Sequence, residues 1–292
     1  IRDHSPYTYG LVSPWIGRLL DVPVVGTVYH LDKNLVGSRW VESSLLARYH
    51  CILTISKFSQ MELQKLSSSV SKRTKAIYCG VAAGFKRPES DGGAWRKSMG
   101  IPRGAMVFST SGVLTPRKNH AFLLDVMQAW LKEGRDGFLI ITGEGELANW
   151  MKNRVRAIGL TERVLFLGYL PENELCRVFE TSTAFLFPSH IEGFGMAPAE
   201  AMACGTPSIV SDRGALPEVV RNGSTGFVLP IDQGPEPWVR AMAHLCDDLT
   251  LRRDIAAAAV TDVRDRFSWA RAGRETEAVY LQLIADHGGR ER

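Results

Sequence analysis

The stretch that decides the fold is Thr183-Ala184-Phe185-Leu186-Phe187-Pro188-Ser189-His190-Ile191-Glu192-Gly193-Phe194-Gly195-Met196-Ala197-Pro198-Ala199-Glu200. Its apolar first part, residues 183–188, predicts a strand that is buried on both faces, as strands of parallel sheets are. Its last part predicts a helix near 197–204, because Pro198 suits the first helical position and Gly205 suits the end. A buried strand, a glycine-rich turn and a helix, in that order, predict a doubly wound parallel α/β sheet.

Two glutamates in this stretch predict a binding site. Glu192 is expected in the loop at the carboxyl end of the strand and Glu200 in the first turn of the helix, where open α/β sheets bind ligands. Backbone N–H groups at the helix start are expected to face an anion, which gives the candidate donor-binding residues Gly193, Phe194, Gly195 and Met196. Since carboxylates repel phosphate, the glutamates are expected to accept hydrogen bonds from hydroxyl groups, which indicates a nucleotide sugar. The alternative is that Glu200 only complements the helix dipole and that Glu192 is a solvated loop residue.

These residues resemble the signature of the retaining glycosyltransferases of family 4, two glutamates separated by seven residues around Glu-Gly-Phe-Gly. The resemblance continues through Glu200-Ala201-Met202-Ala203-Cys204-Gly205-Thr206-Pro207, Pro217-Glu218-Val219-Val220 and Asn222-Gly223-Ser224-Thr225-Gly226-Phe227-Val228. It covers nearly the whole chain and is most specific from about Ser109 to Val228. It implies the GT-B fold, in which two doubly wound parallel-sheet domains face a cleft where donor and acceptor meet.

The composition argues against several other classes of protein. The net charge of +4 is mild and the Lys and Arg residues are scattered, so a nucleic-acid partner is not expected. The five cysteines form no C-x-x-C pair, which is typical of a reduced cytoplasmic protein. No apolar run approaches the roughly 18 residues of a membrane helix. Weak attraction to an anionic surface leaves peripheral contact with the inner face of a membrane open.

The carboxyl-terminal two thirds of the chain alternate between short apolar runs and amphipathic runs, which predicts one doubly wound sheet. The predicted strands are Met106–Ser111, Phe138–Thr142, Val164–Leu167, Ala184–Phe187, Ser208–Ser211 and Gly226–Leu229. The predicted helices lie near 120–133, 145–158, 172–181, 197–204, 215–221, 235–248, 251–265 and 269–286. The donor-binding domain is assigned to residues 94–268.

The amino-terminal part predicts only about three strands, at Pro23–Val28, Ile52–Ile55 and Ala76–Tyr78. A doubly wound domain usually has five or six, so this acceptor-side domain, residues 1–87 completed by the helix in 269–292, is expected to be incomplete. Its open face is then expected to be covered by residues before Ile1 or by another chain, which leaves a homo-oligomer open. A polar, Pro- and Gly-rich linker follows at 86–93.

A second motif, Ser109 to Asn119, follows a strand and is expected to open a helix. Gly112 permits a tight turn. Arg117 and Lys118 then stand at a helix N-terminus with no acidic partner in sequence reach, where cations are disfavoured unless an anion is bound. A diphosphate supplies that anion, and a pair of solvated basic residues is the alternative. The family has Gly-Arg here and a Lys that matches Lys118, whereas this chain has Val113 in place of the Arg.

Further site residues come from the resemblance. Gly143, in Thr142-Gly143-Glu144-Gly145, is expected along the donor cleft, and Tyr169 and Leu170 correspond to the place where backbone groups hold the nucleobase. His30 ends an apolar strand and corresponds to a family His that contacts the donor sugar, so it is taken as catalytic together with Glu192. Candidate acceptor-binding residues are His4, Asp32 and Lys33.

The sequence therefore predicts a retaining glycosyltransferase that moves a sugar from a nucleoside diphosphate sugar to a hydroxyl acceptor. No metal and no cofactor are expected, because basic residues can replace a metal at the diphosphate. One alternative is a nucleotide-sugar-binding protein without turnover. Another is a phosphorylase or an epimerase of the same fold. The base, the sugar and the acceptor stay open.

Overall fold

The computed structural model of the chain describes residues 1–29, 39–86 and 93–288. His30, Asp32 and Lys33 lie outside the described residues, as does most of the predicted linker. The chain divides into two compact units. One consists of Ile1–Gly80 together with Phe267–Arg292, and the other of Val81–Arg266.

The amino-terminal unit contains a parallel sheet of four strands in the order β1-β2-β3-β4. The strands are β1 (Arg2–Asp3), β2 (Val25–Val28), β3 (Cys51–Thr54) and β4 (Thr74–Ala76). Sequence reasoning missed β1, which has only two residues. It also placed β4 two residues too late, because the buried Ile77 that follows β4 was counted into the strand.

Helices cover both faces of this sheet. They are α1 (Pro6–Tyr9), α2 (Val12–Leu19), α3 (Arg39–Leu46), α4 (Lys57–Gln64) and α5 (Ser68–Ser71). The carboxyl-terminal helix of the chain, Trp269–Gly288, belongs to the same unit. Side chains of a strand point alternately to opposite faces. Val28 and Ile52 accordingly pack with Leu63 on one face, while Val25 and Leu53 pack with Val279 of the last helix on the other.

The second unit is built around a parallel sheet of six strands in the order β10-β9-β8-β5-β6-β7. The strands are β5 (Val107–Ser111), β6 (Phe138–Thr142), β7 (Val164–Gly168), β8 (Ala184–Phe187), β9 (Ser208–Ser211) and β10 (Gly226–Leu229). All six were predicted from their apolar runs to within one residue, since strands buried on both faces read as continuous apolar segments.

The helices of this unit are α6 (Gly93–Ser98), α7 (Phe122–Lys132), α8 (Ala148–Ala157), α9 (Glu172–Thr181), α10 (Met196–Ala203), α11 (Leu216–Val219), α12 (Glu236–Asp247) and α13 (Leu249–Arg266). The last helix of the chain, Trp269–Gly288, which belongs to the amino-terminal unit, is α14. The main core includes Phe108, Leu139 and Leu186 from the strands with Trp130 and Trp238 from the helices. Because the strands are parallel, the loops that follow β5, β6, β7 and β8 open at one edge of the sheet, and most of the predicted donor residues lie there.

Candidate functional site

The loop after β8 leads into α10 through Gly195, which adopts a left-handed conformation with φ of 109°. The helix begins directly after it, at Met196. Pro198 is therefore the third helical residue and not the first, as was predicted, and Glu200 is the fifth and lies in the second turn. Pro198 is still tolerated at the third position, because an N–H there would have no partner within the helix, so the N–H that proline lacks is not missed. The side chain of Phe194 is buried, 2% exposed.

Glu192 is the centre of a compact charged cluster. Its side chain is 9% exposed, and its Oε1 atom accepts a hydrogen bond from the Ser189 hydroxyl at 2.8 Å. The same oxygen lies 2.7 Å from the Lys118 ammonium and 3.4 Å from the guanidinium of Arg117. The two cations have no acidic partner nearby in the sequence, as was predicted, but Glu192, more than seventy residues further along the chain, pairs with both. The reading of Glu192 as a solvated loop residue was wrong.

The two cations also do not stand at the N-terminus of a long helix, as was predicted. They end a short 3₁₀ turn, Pro116–Lys118, and α7 begins only at Phe122 after Asn119, whose φ is 56°. Cations at the carboxyl end of such a turn are electrostatically acceptable. Arg117 and Lys118 are therefore not electrostatically misplaced, and their position in the turn does not by itself indicate a bound diphosphate. What remains is the convergence of two cations at the edge of the sheet.

Lys118 and Arg117 differ in their surroundings. The Lys118 side chain is 16% exposed, and its Nζ lies 4.8 Å from the centre of the Phe187 ring, at the end of β8. Arg117 is 47% exposed and donates a second hydrogen bond to the carbonyl of Ile191 at 3.0 Å. Lys118 is thus held firmly between a carboxylate and an aromatic face, whereas Arg117 is accessible from solvent.

Gly112 and Gly143 bring the ends of β5 and β6 into backbone contact. A side chain at Gly143, whose φ is 107°, would place its Cβ 2.1 Å from the carbonyl oxygen of Gly112. The N–H of Gly112 donates to Thr142 at 3.2 Å, and the N–H of Gly143 donates to Gly168 at 2.7 Å. The turns after β5, β6 and β7 are therefore joined by backbone hydrogen bonds, and the Lys118 side chain lies beside the first of them.

Glu200 lies at a different part of the same edge. Burial raises the pKa of its carboxyl from 4.5 to about 7, and the nearby Glu172 adds to the rise. Glu172 opens α9, directly after Tyr169, Leu170 and Pro171. Tyr169 is 77% exposed. Glu200 is thus close to the loop that was predicted to hold a nucleobase, and it changes charge near neutral pH.

Sequence reasoning missed His120, two residues after Lys118. Its imidazole is 1% exposed, packs edge-on against Phe187 with 6.4 Å between ring centres, and has no hydrogen-bond partner among the described residues at either nitrogen. Burial lowers its pKa from 6.5 to about 3, and Lys118 lowers it further. The ring therefore stays neutral beside the ammonium. No sequence signal marked this residue, because an imidazole two residues after a Lys does not indicate burial.

In the amino-terminal unit, the structure describes only one of the predicted functional side chains. His4, which follows β1, has its Nδ1 2.8 Å from the Tyr29 hydroxyl, and the two rings stack with 5.9 Å between centres. Tyr29 directly precedes His30 in the chain. Within residues 1–29, 39–86 and 93–288, no helix has the length and apolarity that a membrane span requires.

The sequence profile of one family, the Glycosyl transferases group 1, matches residues 92–261. Among curated proteins, a D-inositol 3-phosphate glycosyltransferase of Actinosynnema mirum is 31% identical over 305 residues, which cover 96% of this chain and 72% of the relative. An uncharacterized glycosyltransferase of Methanocaldococcus jannaschii is 26% identical over 281 residues, covering 94% of this chain and 69% of the relative. The chain spans less than half of other relatives, such as 44% of the D-inositol 3-phosphate glycosyltransferase of Corynebacterium diphtheriae.

Solved structures show the same fold. HepE of Anabaena, in complex with UDP and glucose, superposes with a TM-score of 0.83 at 20% identity, covering 94% of this chain and 76% of that one. Sucrose-phosphate synthase from Thermosynechococcus elongatus gives a TM-score of 0.78 at 24% identity, covering 94% and 72%. With its two parallel-sheet α/β units, this chain has the GT-B fold, and it belongs to the group 1 family of glycosyltransferases.

Proposed function

We propose that this protein transfers a sugar from a nucleoside diphosphate sugar to a hydroxyl acceptor, with retention of anomeric configuration. The observation that carries the proposal is the cluster of Arg117, Lys118 and Glu192 beside the Gly112 turn, at the carboxyl edge of the six-stranded sheet. That edge is where open α/β sheets bind nucleotides. Two cations and a carboxylate there suit a ligand that carries both phosphate and hydroxyl groups.

The donor is assigned along this edge. Its diphosphate lies at Arg117 and Lys118, against the turns of Gly112 and Gly143, and its sugar lies at Glu192. The ribose hydroxyls meet Glu200, and the base lies against the loop of Tyr169 and Leu170. The short backbone between Gly193 and Met196 borders the sugar and the diphosphate. Support for this class of donor comes from the HepE complexes, whose ligands are UDP, glucose and UDP-glucose.

The chemistry requires charge to be stabilised on the leaving group. As the bond between sugar and diphosphate breaks, negative charge grows on the phosphate, and fixed cations lower the energy of that state. Lys118 supplies a charge held in place by its surroundings, and Arg117 supplies a planar guanidinium that can bind two phosphate oxygens. The sugar passes through an oxocarbenium-like state that a carboxylate such as Glu192 stabilises. The proposal assigns no metal.

The acceptor side is assigned to the amino-terminal unit. His30 contacts the donor sugar, while His4, Asp32 and Lys33 contact the acceptor. Relatives with 29–31% identity are named as D-inositol 3-phosphate glycosyltransferases. A phosphorylated polyol is therefore one acceptor to include in a screen, beside glycan and lipid hydroxyls.

The test begins with a thermal-shift panel of UDP-, GDP-, ADP- and dTDP-sugars, followed by an assay of nucleoside diphosphate release with and without acceptors. A transferase shifts its melting temperature with one nucleotide class and releases the diphosphate faster when the right acceptor is present. Binding without any release in the presence of acceptors would identify a nucleotide-sugar-binding protein instead. Absence of binding to all four classes would overturn the proposal.

A further inference from the structure

In the charged cluster at Glu192, the cations assigned to the donor are bound to a carboxylate of the chain itself. Three donors, from Ser189, Lys118 and Arg117, converge on one carboxylate oxygen, at 2.8, 2.7 and 3.4 Å. The cations that are assigned to the donor's diphosphate are therefore already paired with an anion belonging to the chain. A diphosphate that approaches Lys118 meets an ammonium whose closest charged neighbour is Glu192.

Two anions cannot share one ammonium without cost. A carboxylate and a phosphate that both contact Lys118 lie within a few ångströms of each other, and like charges at that distance repel strongly in a poorly solvated site. The Lys118 and Glu192 side chains are only 16% and 9% exposed, so water screens the repulsion weakly. Either the diphosphate binds weakly or the carboxylate moves away.

The residues around the carboxylate are anchored by contacts that do not depend on the ion pair. The backbone of Glu192 is held by the N–H of Ala215, which donates to its carbonyl at 3.0 Å, and by the close approach of Gly214. Ser189 is anchored through its own carbonyl, which accepts from Ser211 at 2.5 Å. Lys118 keeps the Phe187 ring as a second partner at 4.8 Å. Both partners of the ion pair therefore keep a defined place after they separate.

We propose that Glu192 is an internal counterion that the diphosphate of the donor displaces from Lys118, and that this displacement turns its carboxylate toward the sugar. This inference rests on the proposed function, since it concerns the same donor. It gives the ion pair two roles. Without donor, Glu192 neutralises the two converging cations, and its carboxylate turns toward the sugar, whose oxocarbenium-like state it stabilises, only when a diphosphate is in place. Ser189 is a positioning residue that retains the carboxylate in both states.

Calorimetric titration of the full chain with UDP tests the displacement, using Glu192→Gln against the native protein. GDP, ADP and dTDP replace UDP if UDP does not bind. Removal of the competing charge should tighten the diphosphate about tenfold, while sugar transfer falls. Glu162→Gln, an exposed glutamate of the same unit, makes the same change in net charge and should leave the affinity within about twofold, since distant exposed charges are screened.

A double-mutant cycle assigns the effect to the ion pair. In the background of Lys118→Ala, the substitution Glu192→Gln should tighten UDP much less, because the shorter of the two ion pairs is then absent and only the 3.4 Å contact with Arg117 remains. If Glu192→Gln does not fold, Glu192→Asp makes the same test, since its shorter side chain draws the carboxylate back from Lys118 and should also tighten UDP.

Two results would overturn the inference. A folded Glu192→Gln protein that binds UDP with unchanged or weaker affinity would show that Glu192 positions Lys118 for phosphate and does not compete with it. An equal gain in the Lys118→Ala background would show that the effect does not pass through the ion pair. If none of the four diphosphates binds to either protein, the proposed function fails, and the inference fails with it.

Discussion

At the scale of single residues, Lys118 is expected to contribute most to binding of the diphosphate. Replacing it by Ala should weaken binding of the nucleoside diphosphate by about 1.5–3 kcal/mol, the usual value of a charge-assisted hydrogen bond. The substitution also leaves the Glu192 carboxylate, which is largely buried, with fewer partners, so the free energy of unfolding should fall. Calorimetry and urea unfolding measure the two effects.

A matched control for Lys118 is Lys152→Ala in the same unit. Lys152 also lies over an aromatic ring, 5.9 Å from the centre of Phe166, but it is not in the charged cluster. Its loss should leave nucleotide affinity unchanged within error. Equal losses of affinity in both variants would contradict the assignment of Lys118 to the diphosphate.

Glu200 should make donor binding depend on pH. Its pKa of about 7 means that roughly half of the molecules carry a protonated carboxyl at neutral pH. If the ribose hydroxyls donate to the carboxylate, binding favours the ionised form and releases a fraction of a proton. Calorimetry at pH 7 in two buffers with different ionisation enthalpies detects that release. Proton uptake, or none, would contradict the ribose role, and Glu200→Gln should abolish the release and weaken binding.

The same group should affect stability, with a defined sign. The folded state raises the pKa of Glu200, so its stabilising contribution is complete below about pH 4.5 and is lost as the pH rises through 7. Glu200→Gln should therefore match the native protein near pH 4 and exceed it at pH 8 by at most roughly 3 kcal/mol. Unfolding curves at the two pH values measure the difference.

Candidate residues could be named where the sequence places charged groups in the turns after predicted strands. Glu192, Lys118 and Glu200 stood out there because they also match the motif of the family. Their partners were not predictable, since the pairing of Lys118 with Glu192 depends on how far the 3₁₀ turn carries the ammonium toward the loop after β8. His120 escaped notice because nothing in the sequence shows that an imidazole near a Lys is buried.

At the scale of elements, the backbone contact between Gly112 and Gly143 can be tested. Gly143→Ala would drive a Cβ into the carbonyl of Gly112 and should displace the turn that supports the diphosphate, so nucleotide affinity should fall at least fivefold. Gly159→Ala is the matched control. Gly159 also has a positive φ, 73°, but no atom lies within 4 Å of the Cβ that Ala would add.

The two glycine variants separate conformational strain from contact. Gly159→Ala should lose about 1 kcal/mol of stability, because Ala disfavours a positive φ, and Gly143→Ala should lose more, because its Cβ also meets the carbonyl oxygen of Gly112. Only Gly143→Ala should also lose nucleotide affinity. A loss of affinity in Gly159→Ala, or unchanged affinity in Gly143→Ala, would show that the Gly112 turn does not hold the donor.

Elements were predictable in proportion to their burial. The strands of the six-stranded sheet were recognisable because most of them are short apolar runs that alternate with amphipathic segments. The end of α10 was also placed correctly at Gly205, where the N–H groups of Gly205 and Thr206 close the helix onto Met202 and Ala201. Its start was misjudged, because Pro198 suits the first helical position and yet stands in the third. The strand β1, with only two residues, left no pattern to recognise.

At the scale of the whole molecule, the predicted residues divide between the two units. All donor-binding candidates, from Gly112 to Glu200, fall within Val81–Arg266, and His4, His30, Asp32 and Lys33 fall within Ile1–Gly80. Sequence patterns predicted this separation of donor and acceptor residues through the family resemblance alone. Neither charge nor hydrophobic periodicity near His30 relates it to the donor candidates, which begin more than eighty residues further along the chain.

Residues 81–266 should therefore fold alone and keep the donor site. They contain a complete six-stranded sheet with its own core, and α13 ends at Arg266, whose guanidinium pairs with Asp262 at 2.7 Å inside the same unit.

The excised fragment should unfold cooperatively and bind UDP, or whichever diphosphate the full chain prefers, within about threefold of the full-length affinity, since the contacts assigned to the diphosphate, the ribose and the base all lie within it. It should transfer no sugar, because the acceptor residues and His30 are absent. Circular dichroism and calorimetry on the fragment and the full chain make the comparison. A folded fragment that binds the diphosphate more than tenfold more weakly would show that the amino-terminal unit supplies part of the donor site, and the assignment of the diphosphate to Arg117 and Lys118 alone would then be wrong.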